Sequence, residues 1–460
     1  ARTLPLSWKR RAMRNLPTRR PDAMNAEVRA IKTPAEQALG AAFAKVRGTL
    51  PGKGTIAAMR ADAFNQFDTR GLPHRRVEEW KYTDLRALMR DLYPLAPSPD
   101  PSARERAKNA GKLLGGVECR RLVFVDGAFV PDMSDLTSEP GIAIDTMANA
   151  LGKGDPLVAA HVGRAFATDD VAVALNTALM SDGAVIRISA GATLRRPINL
   201  VFATGSDKPT SAFVRSLVVV EKGAKVTIIE SHESGDAQVN AALELVVGDE
   251  AQVDYIKITQ ARALHVGSLL ATVGARAHFN SFAFTSDAQL VRNQSFIRFA
   301  GEGTKAGIGG VSLLRGKDHV DTTLLIEHAA GHCESREQFR AVLDGESHGV
   351  FQGKIVVKQH AQKTDAKMMT RALLLSDQAE ADNKPELEIF ADDVVCGHGA
   401  TAGALDPGLK FYLMSRGIHE KEAEALLVQA FIGETIEEIA HEGIREALMI
   451  VSLRWLGGRS

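Results

Sequence analysis

The residues best suited to chemistry lie in one segment near the C-terminus, Asp392-Asp-Val-Val-Cys-Gly-His-Gly-Ala-Thr401. Side chains two positions apart on a β-strand point to the same face, so Cys396 and His398 would project together. A thiolate and an imidazole suit iron, zinc or a fragment of an iron–sulfur cluster. Two ligands are fewer than the four of a closed site, so a metal held here would need donors from a partner chain. The alternative is a buried free cysteine beside a structural histidine.

A second cluster, His328-Ala-Ala-Gly-His332-Cys333, is a weaker candidate for metal binding. On a helix the two histidines would share a face, but Gly331 and the surrounding strand pattern argue against a helix. No glutamate follows His328, so the zinc-protease motif is absent. We therefore expect structural roles here.

Other polar residues and motifs give weaker signals. We expect His348 and His360, near strand ends, to be structural, and Asp392 and Asp393 to be solvated charges. Neither a phosphate-binding Gly-x-x-x-x-Gly-Lys-Ser/Thr loop nor a Gly-x-Ser-x-Gly elbow occurs in the sequence. The chain is therefore predicted not to hydrolyse a nucleotide by itself.

Short β-branched runs separated by turn residues fill residues 174–401. The alanines of a weak turn repeat fall at Ala192, Ala224, Ala251 and Ala275, at spacings of 32, 27 and 24 residues. A drifting period of this size, made of short strands, indicates a solenoid of stacked strands. Since no long helical crossovers interrupt the runs, a parallel β-helix fits better than the alternative, a β-sandwich. The predicted fold is mainly β, with a parallel β-helix core over 166–404.

Helical patterns flank this core. Thr33-Pro-Ala-Glu36 is a capping box, and Asp126-Gly127 between two apolar runs predicts a tight hairpin. We assign a helical and mixed domain to 24–165 and a helical domain to 405–460. In the latter, Gly417 is predicted to end one helix and Gly433 to break the next, with the helices capping the open end of the solenoid.

Composition excludes several classes of protein. The 460 residues contain 56 basic and 56 acidic residues, so the formal net charge is zero. This balance argues against a protein whose whole surface binds nucleic acid or anionic membrane. No apolar run reaches the roughly 18 residues of a membrane span. Three distant cysteines form no disulfide framework. We therefore predict a soluble, cytoplasmic protein that binds neither nucleic acid nor membrane.

The zero net charge hides an uneven distribution. Residues 1–20 hold seven basic residues and no acidic one, which leaves 49 basic against 56 acidic residues, a net charge of −7, in the remainder. We expect residues 1–23 to be a disordered basic extension without a role in the fold, with the patterned chain starting at Met24. An organellar transit segment or a nucleic-acid-binding arm are the alternatives.

Several ordered strings identify a family resemblance. The sequence resembles the SufB/SufD family of iron–sulfur cluster assembly proteins from about Met24 to the C-terminus, and most densely over 319–417. The strings are Glu79-Trp-Lys-Tyr-Thr83, Val350-Phe-Gln-Gly-Lys-Ile355, Thr364-Asp-Ala366, Leu373-Leu-Leu-Ser376, Asn383-Lys-Pro-Glu-Leu-Glu-Ile-Phe-Ala-Asp-Asp393, Cys396-Gly-His-Gly-Ala-Thr401 and Tyr412-Leu-Met-Ser-Arg-Gly417. SufB members carry Gly-His-Glu-Ala-Thr where this chain has Gly399 after His398, so the resemblance is to the SufD branch.

The resemblance implies a right-handed parallel β-helix flanked by helices. It implies a non-catalytic subunit of a complex with SufB, through the β-helices, and with the ATPase SufC, through the C-terminal helices. Cys396 and His398 match the residues placed at the SufB interface, where a transient iron or iron–sulfur cluster is shared and no cofactor is bound permanently. A purely structural partner of SufB is one alternative. A carbohydrate-active β-helix enzyme is another, disfavoured by only 25 aromatic residues.

Overall fold

Strands dominate the computed structural model, which describes residues 32–458. The predicted extension over 1–23 and the predicted start of the pattern at Met24 lie outside these residues. Within them the strands form a ten-stranded and a nine-stranded sheet, to which successive coils of the chain contribute in turn. The strands are β1 Arg120–Val125, β2 Ala128–Phe129, β3 Ile142–Thr146, β4 Ala184–Ile188, β5 Ile198–Ala203, β6 Thr210–Val220, β7 Lys225–Ser234, β8 Ala237–Val247, β9 Gln252–Ala261, β10 Leu264–Val273, β11 His278–Ser286, β12 Leu290–Phe299, β13 Lys305–Leu314, β14 His319–His328, β15 Glu334–Leu343, β16 His348–Val357, β17 Asp365–Leu374, β18 Glu380–Ile389 and β19 Val395–Gly403.

The sheet order confirms the β-helix over the sandwich. The ten-stranded sheet runs β19-β17-β15-β13-β11-β9-β7-β5-β1-β2, and the nine-stranded sheet runs β18-β16-β14-β12-β10-β8-β6-β4-β3. From β4 and β5 onward each strand pairs in parallel with the strand one coil later, for example Glu334↔Asp365. Side chains from both sheets meet in one interior core, as a two-sided solenoid requires.

The hairpin predicted at Asp126-Gly127 is confirmed. Strands β1 and β2 pair antiparallel with Val125 opposite Ala128. Asp126 and Gly127 adopt φ angles of 50° and 80°, the left-handed pair that a two-residue hairpin turn needs.

The turn repeat seen in the sequence corresponds to one corner of the solenoid. The structure shows that one predicted member of this repeat was wrong. At this corner a residue with positive φ, such as Glu250 (61°) or Arg276 (53°), precedes a small buried residue. The equivalent of Ala251 is therefore Ala277, not Ala275 as the sequence pattern indicated, since Gln252 pairs with His278. The stack of small residues comprises Ala224, Ala251, Ala277, Thr304, Cys333 and Thr364, each fully or almost fully buried.

Helices cover the outer faces of both sheets. They are α1 Pro34–Val46, α2 Thr55–Arg70, α3 Leu85–Leu88, α4 Pro101–Arg106, α5 Met147–Lys153, α6 Pro156–His161, α7 Val171–Leu179, α8 Pro407–Ser415, α9 Glu420–Ile436 and α10 Glu442–Gly457. The capping box of α1 is confirmed, with the Thr33 hydroxyl accepting from Glu36 and the Glu36 carboxylate accepting from Thr33. Helix α7 packs on the nine-stranded sheet, α2 packs on α7, and α1 packs on α2. No helix within the described range is long and apolar enough to cross a membrane.

The C-terminal helices agree with one prediction and differ from two others. The expected end near Gly417 is confirmed, with its φ of 86°. However, α9 continues through Gly433 without a break. Helices α9 and α10 lie on the outer face of the ten-stranded sheet instead of capping the open end, because that face is a continuous apolar surface from Ile229 to Leu373. The Arg340 side chain ties α9 to β15 through the Phe431 carbonyl and Glu434.

Candidate functional site

Strand β19 places the two predicted ligands on the inward-facing side of the last coil. Cys396 is the register partner of Ala366, and His398 that of Met368. Ala366 and Met368 both belong to the buried interior core, so the residues stacked on them continue the same inward columns. Cys396 is half-buried against this core, whereas His398 is exposed, because no further coil follows β19 in the described chain.

The environment of Cys396 favours the neutral thiol. Burial raises the pKa of Cys396, and the charges of Asp365 and Glu337 add to the rise, against an opposing hydrogen bond from the Ala366 N–H. The thiolate is the form that binds metals. A metal ion or a cation supplied from outside the chain would therefore favour deprotonation of Cys396.

A buried carboxylic acid lies beneath the open end. Glu337 is two coils below His398 in the same column, with Met368 between them. It is fully buried, and within residues 32–458 neither carboxyl oxygen makes a hydrogen bond of regular geometry. Burial raises the pKa of Glu337 to about 8, opposed by the Ser335 hydroxyl and the Arg336 charge. Nothing in the local sequence indicated this residue, since only the register between coils brings it into the column.

Glu337 is expected to make the folded chain less stable as the pH rises. Its pKa is about 8 in the folded state, above the ordinary value of 4.5, so the folded chain binds more protons between these values. The contribution of Glu337 to stability should therefore fall from about pH 4.5 to pH 8, by up to about 1.4 kcal/mol per pH unit. Urea unfolding followed by circular dichroism from pH 5 to 8.5 measures this. Glu337→Gln should flatten the slope, and the exposed Glu334→Gln should not; equal slopes for both variants would contradict the assignment.

The open end exposes two strand edges and an apolar corner in the described part of the chain. Strands β18 and β19 are the last of their sheets, and within residues 32–458 neither has a strand on its outer side. Unpaired strand edges are ready to pair with another chain. Ile389, Phe390 and Val395, at the corner between the two strands, are 41%, 59% and 62% exposed. An exposed apolar corner beside two free edges is typical of an interaction surface.

The residues that the sequence marked as weaker candidates lie in different environments, in agreement with structural roles. His328 is buried and its Nε2 lies 3.1 Å from the Ser335 hydroxyl. His332 is exposed at a corner, with a φ of 58°. Cys333 belongs to the stack of small residues. Asp392 and Asp393 are exposed, as expected.

Comparison with known proteins finds relatives over most of the chain. Residues 202–431 match the family model for the SUF-system FeS cluster assembly SufBD core domain, and residues 45–200 match the SufBD N-terminal region. The chain is 33% identical over 388 residues to an iron–sulfur cluster assembly SufBD family protein of Synechocystis, covering 80% of this chain and 84% of that protein. It is 31% identical over 390 residues to the iron–sulfur cluster assembly protein SufD of Escherichia coli, covering 82% and 88%. SufD of Bacillus subtilis is 26% identical over 414 residues, covering 85% and 92%.

Proposed function

Because the chain belongs to the SufBD family of iron–sulfur cluster assembly proteins, we propose that it acts as the SufD component of a complex with SufB and the ATPase SufC. In this complex it is a non-catalytic subunit. It supports the building of a cluster at its interface with SufB, and ATP hydrolysis by SufC drives the cycle. The cluster is cargo shared with SufB, so the chain holds no permanent cofactor.

The observation that carries the proposal is the position of Cys396 and His398. They supply one soft and one borderline donor at an end of the solenoid where, within the described residues, no further strand pairs with β18 or β19. Two donors leave an iron or a cluster fragment incomplete, and a β-helix end docked on β18 and β19 would bring the rest. The metal would also favour the Cys396 thiolate, which burial disfavours in the isolated chain.

The C-terminal helices offer a route by which SufC could act on this site. Helix α8 exposes Leu409, Phe411 and Tyr412, at 53%, 73% and 51%, which suits a docking surface. Only residues 404–406 separate the end of β19 from α8. A shift of α8 on closure of a SufC dimer would therefore pull directly on the strand that carries Cys396 and His398, opening the interface for delivery of iron or sulfur.

A purely structural role as a partner of SufB is the second candidate. The half-buried, neutral thiol of Cys396, packed against the core, is the observation that favours it. Both candidates require docking at the open end, and they differ in whether Cys396 is needed once the complex has formed.

Charge placed on the exposed corner should weaken binding to SufB. We expect Val395→Lys to reduce the affinity by about tenfold or more, since a lysine at the centre of an apolar contact has no partner and must be desolvated. Calorimetric titration with purified SufB measures this. Leu136→Lys is the matched control, because Leu136 is 52% exposed but precedes β3, at the opposite end of the solenoid. Equal affinity of both variants for SufB would contradict docking at the open end, and unchanged binding of SufC to Val395→Lys would show that the chain is intact.

A further inference from the structure

A histidine and two carboxylates converge on the outer face of the nine-stranded sheet. His348 opens β16 and is the register partner of Glu380, the first residue of β18. Asp382 lies two residues further along, on the same face of β18. His348 Nε2 is 2.8 Å from Asp382 Oδ2, and one donor atom from each of the three residues lies within 4.8 Å of the others.

The two carboxylates are poorly neutralised. Within residues 32–458, no lysine or arginine forms an ion pair with Glu380 or Asp382. The lysine on the same face of β18, Lys384, instead pairs with Glu78 and Glu386. Lys354, on β16, pairs with Glu388. Two neighbouring negative charges with one imidazole between them favour a bound cation.

A second histidine, His319, packs against the ring of His348. The rings of His319 and His348 meet edge to face, with centroids 4.8 Å apart. Thr83 holds His319 Nε2 at 2.9 Å and donates its hydroxyl proton to Asp321 at 2.6 Å. His319, itself held by Thr83, therefore helps to fix the orientation of the His348 ring.

We propose that His348, Glu380 and Asp382 bind a divalent first-row transition metal ion. One imidazole nitrogen and two carboxylate oxygens form a donor set that suits Mn²⁺, Fe²⁺ or Zn²⁺, and three protein ligands leave positions for water or a further ligand. The site is separate from Cys396 and His398, because Glu380 begins β18 whereas Cys396 follows the corner at its far end. The inference stands on these contacts and does not depend on the role proposed above.

Titration with Mn²⁺, followed by electron paramagnetic resonance of the free ion, tests the site. The 460-residue chain with Cys396→Ala and His398→Ala is used, so that those donors cannot contribute. We expect one Mn²⁺ to bind per chain and Zn²⁺ to displace it. Adding Asp382→Asn, or separately His348→Gln, should weaken binding by about tenfold or more, since even groups that only orient a ligand have effects of this size.

The control variant changes acidic residues on the same face of the same strand. Glu386→Gln with Glu388→Gln removes two charges from β18 without touching the three donors, and should leave Mn²⁺ affinity within about twofold, because exposed charges some distance away are screened. Thermal unfolding of every variant confirms that each is folded at the titration temperature. The proposal is overturned if no Mn²⁺ binds, if Asp382→Asn binds it as tightly as its parent, or if the control loses as much affinity as the ligand variants.

Discussion

Replacing Cys396 by alanine should reduce cluster assembly by the reconstituted complex by at least about tenfold, while the complex still forms. Loss of groups that only orient a metal ligand costs about this much, and Cys396 is proposed to be a ligand itself. Its side chain is half-buried at an open end, so truncation leaves no enclosed cavity and should cost little stability. The rate at which the absorbance of a cluster appears, in the complex with SufB and SufC supplied with iron, sulfide and ATP, measures the effect. His398→Ala should act in the same direction.

Cys119→Ala is the matched control for this experiment. Cys119 is also a partly buried free thiol, but it precedes β1 at the other end of the solenoid. Its loss should leave assembly unchanged. If Cys396→Ala assembled clusters as fast as Cys119→Ala, the ligand role would fail, and a purely structural partner of SufB would be the better description.

The largest expected effect on stability comes from breaking a buried ion pair. Arg215 and Glu244 are each 1% exposed, and Arg215 Nε lies 2.7 Å from Glu244 Oε1. Glu244 also accepts hydrogen bonds from the backbone N–H groups of residues 163–165, so it pins the segment before α7 to the nine-stranded sheet. Glu244→Leu should lower the free energy of unfolding by about 3–5 kcal/mol, because it leaves Arg215 charged and unpaired inside the protein.

Urea unfolding, monitored by circular dichroism, measures this loss. Glu250→Gln serves as the control, since Glu250 pairs with Arg276 at the surface, where both side chains are well exposed. Exposed pairs contribute about 0–1 kcal/mol. The double variant Arg215→Met with Glu244→Leu should recover part of the loss, because it removes the unpaired charge as well. A loss for Glu244→Leu no larger than that for Glu250→Gln would contradict the account.

Local signals predicted local structure well. The capping box at Thr33, the hairpin at Asp126-Gly127 and the helix end near Gly417 each depend on a few adjacent residues, and each is confirmed. The error at Ala275 has a physical origin. Successive members of the corner stack, Ala251, Ala277 and Thr304, are 26 and 27 residues apart, and later coils are longer. Because the length of the coils varies, similar turn residues do not identify which positions are equivalent in successive coils.

The sequence by itself determined that strands stack into a β-helix and that Cys396 and His398 share one face, because side-chain alternation along a strand has a period of two. Tertiary structure alone decided what surrounds them. The register between coils puts Glu337 beneath His398, and brings His348 to Glu380 and Asp382 from about 30 residues away along the chain. The packing of α9 and α10 on a sheet face leaves β18 and β19 without a neighbour on their outer side among residues 32–458. These contacts depend on how long each coil is and where each helix packs, and no short stretch of sequence encodes either.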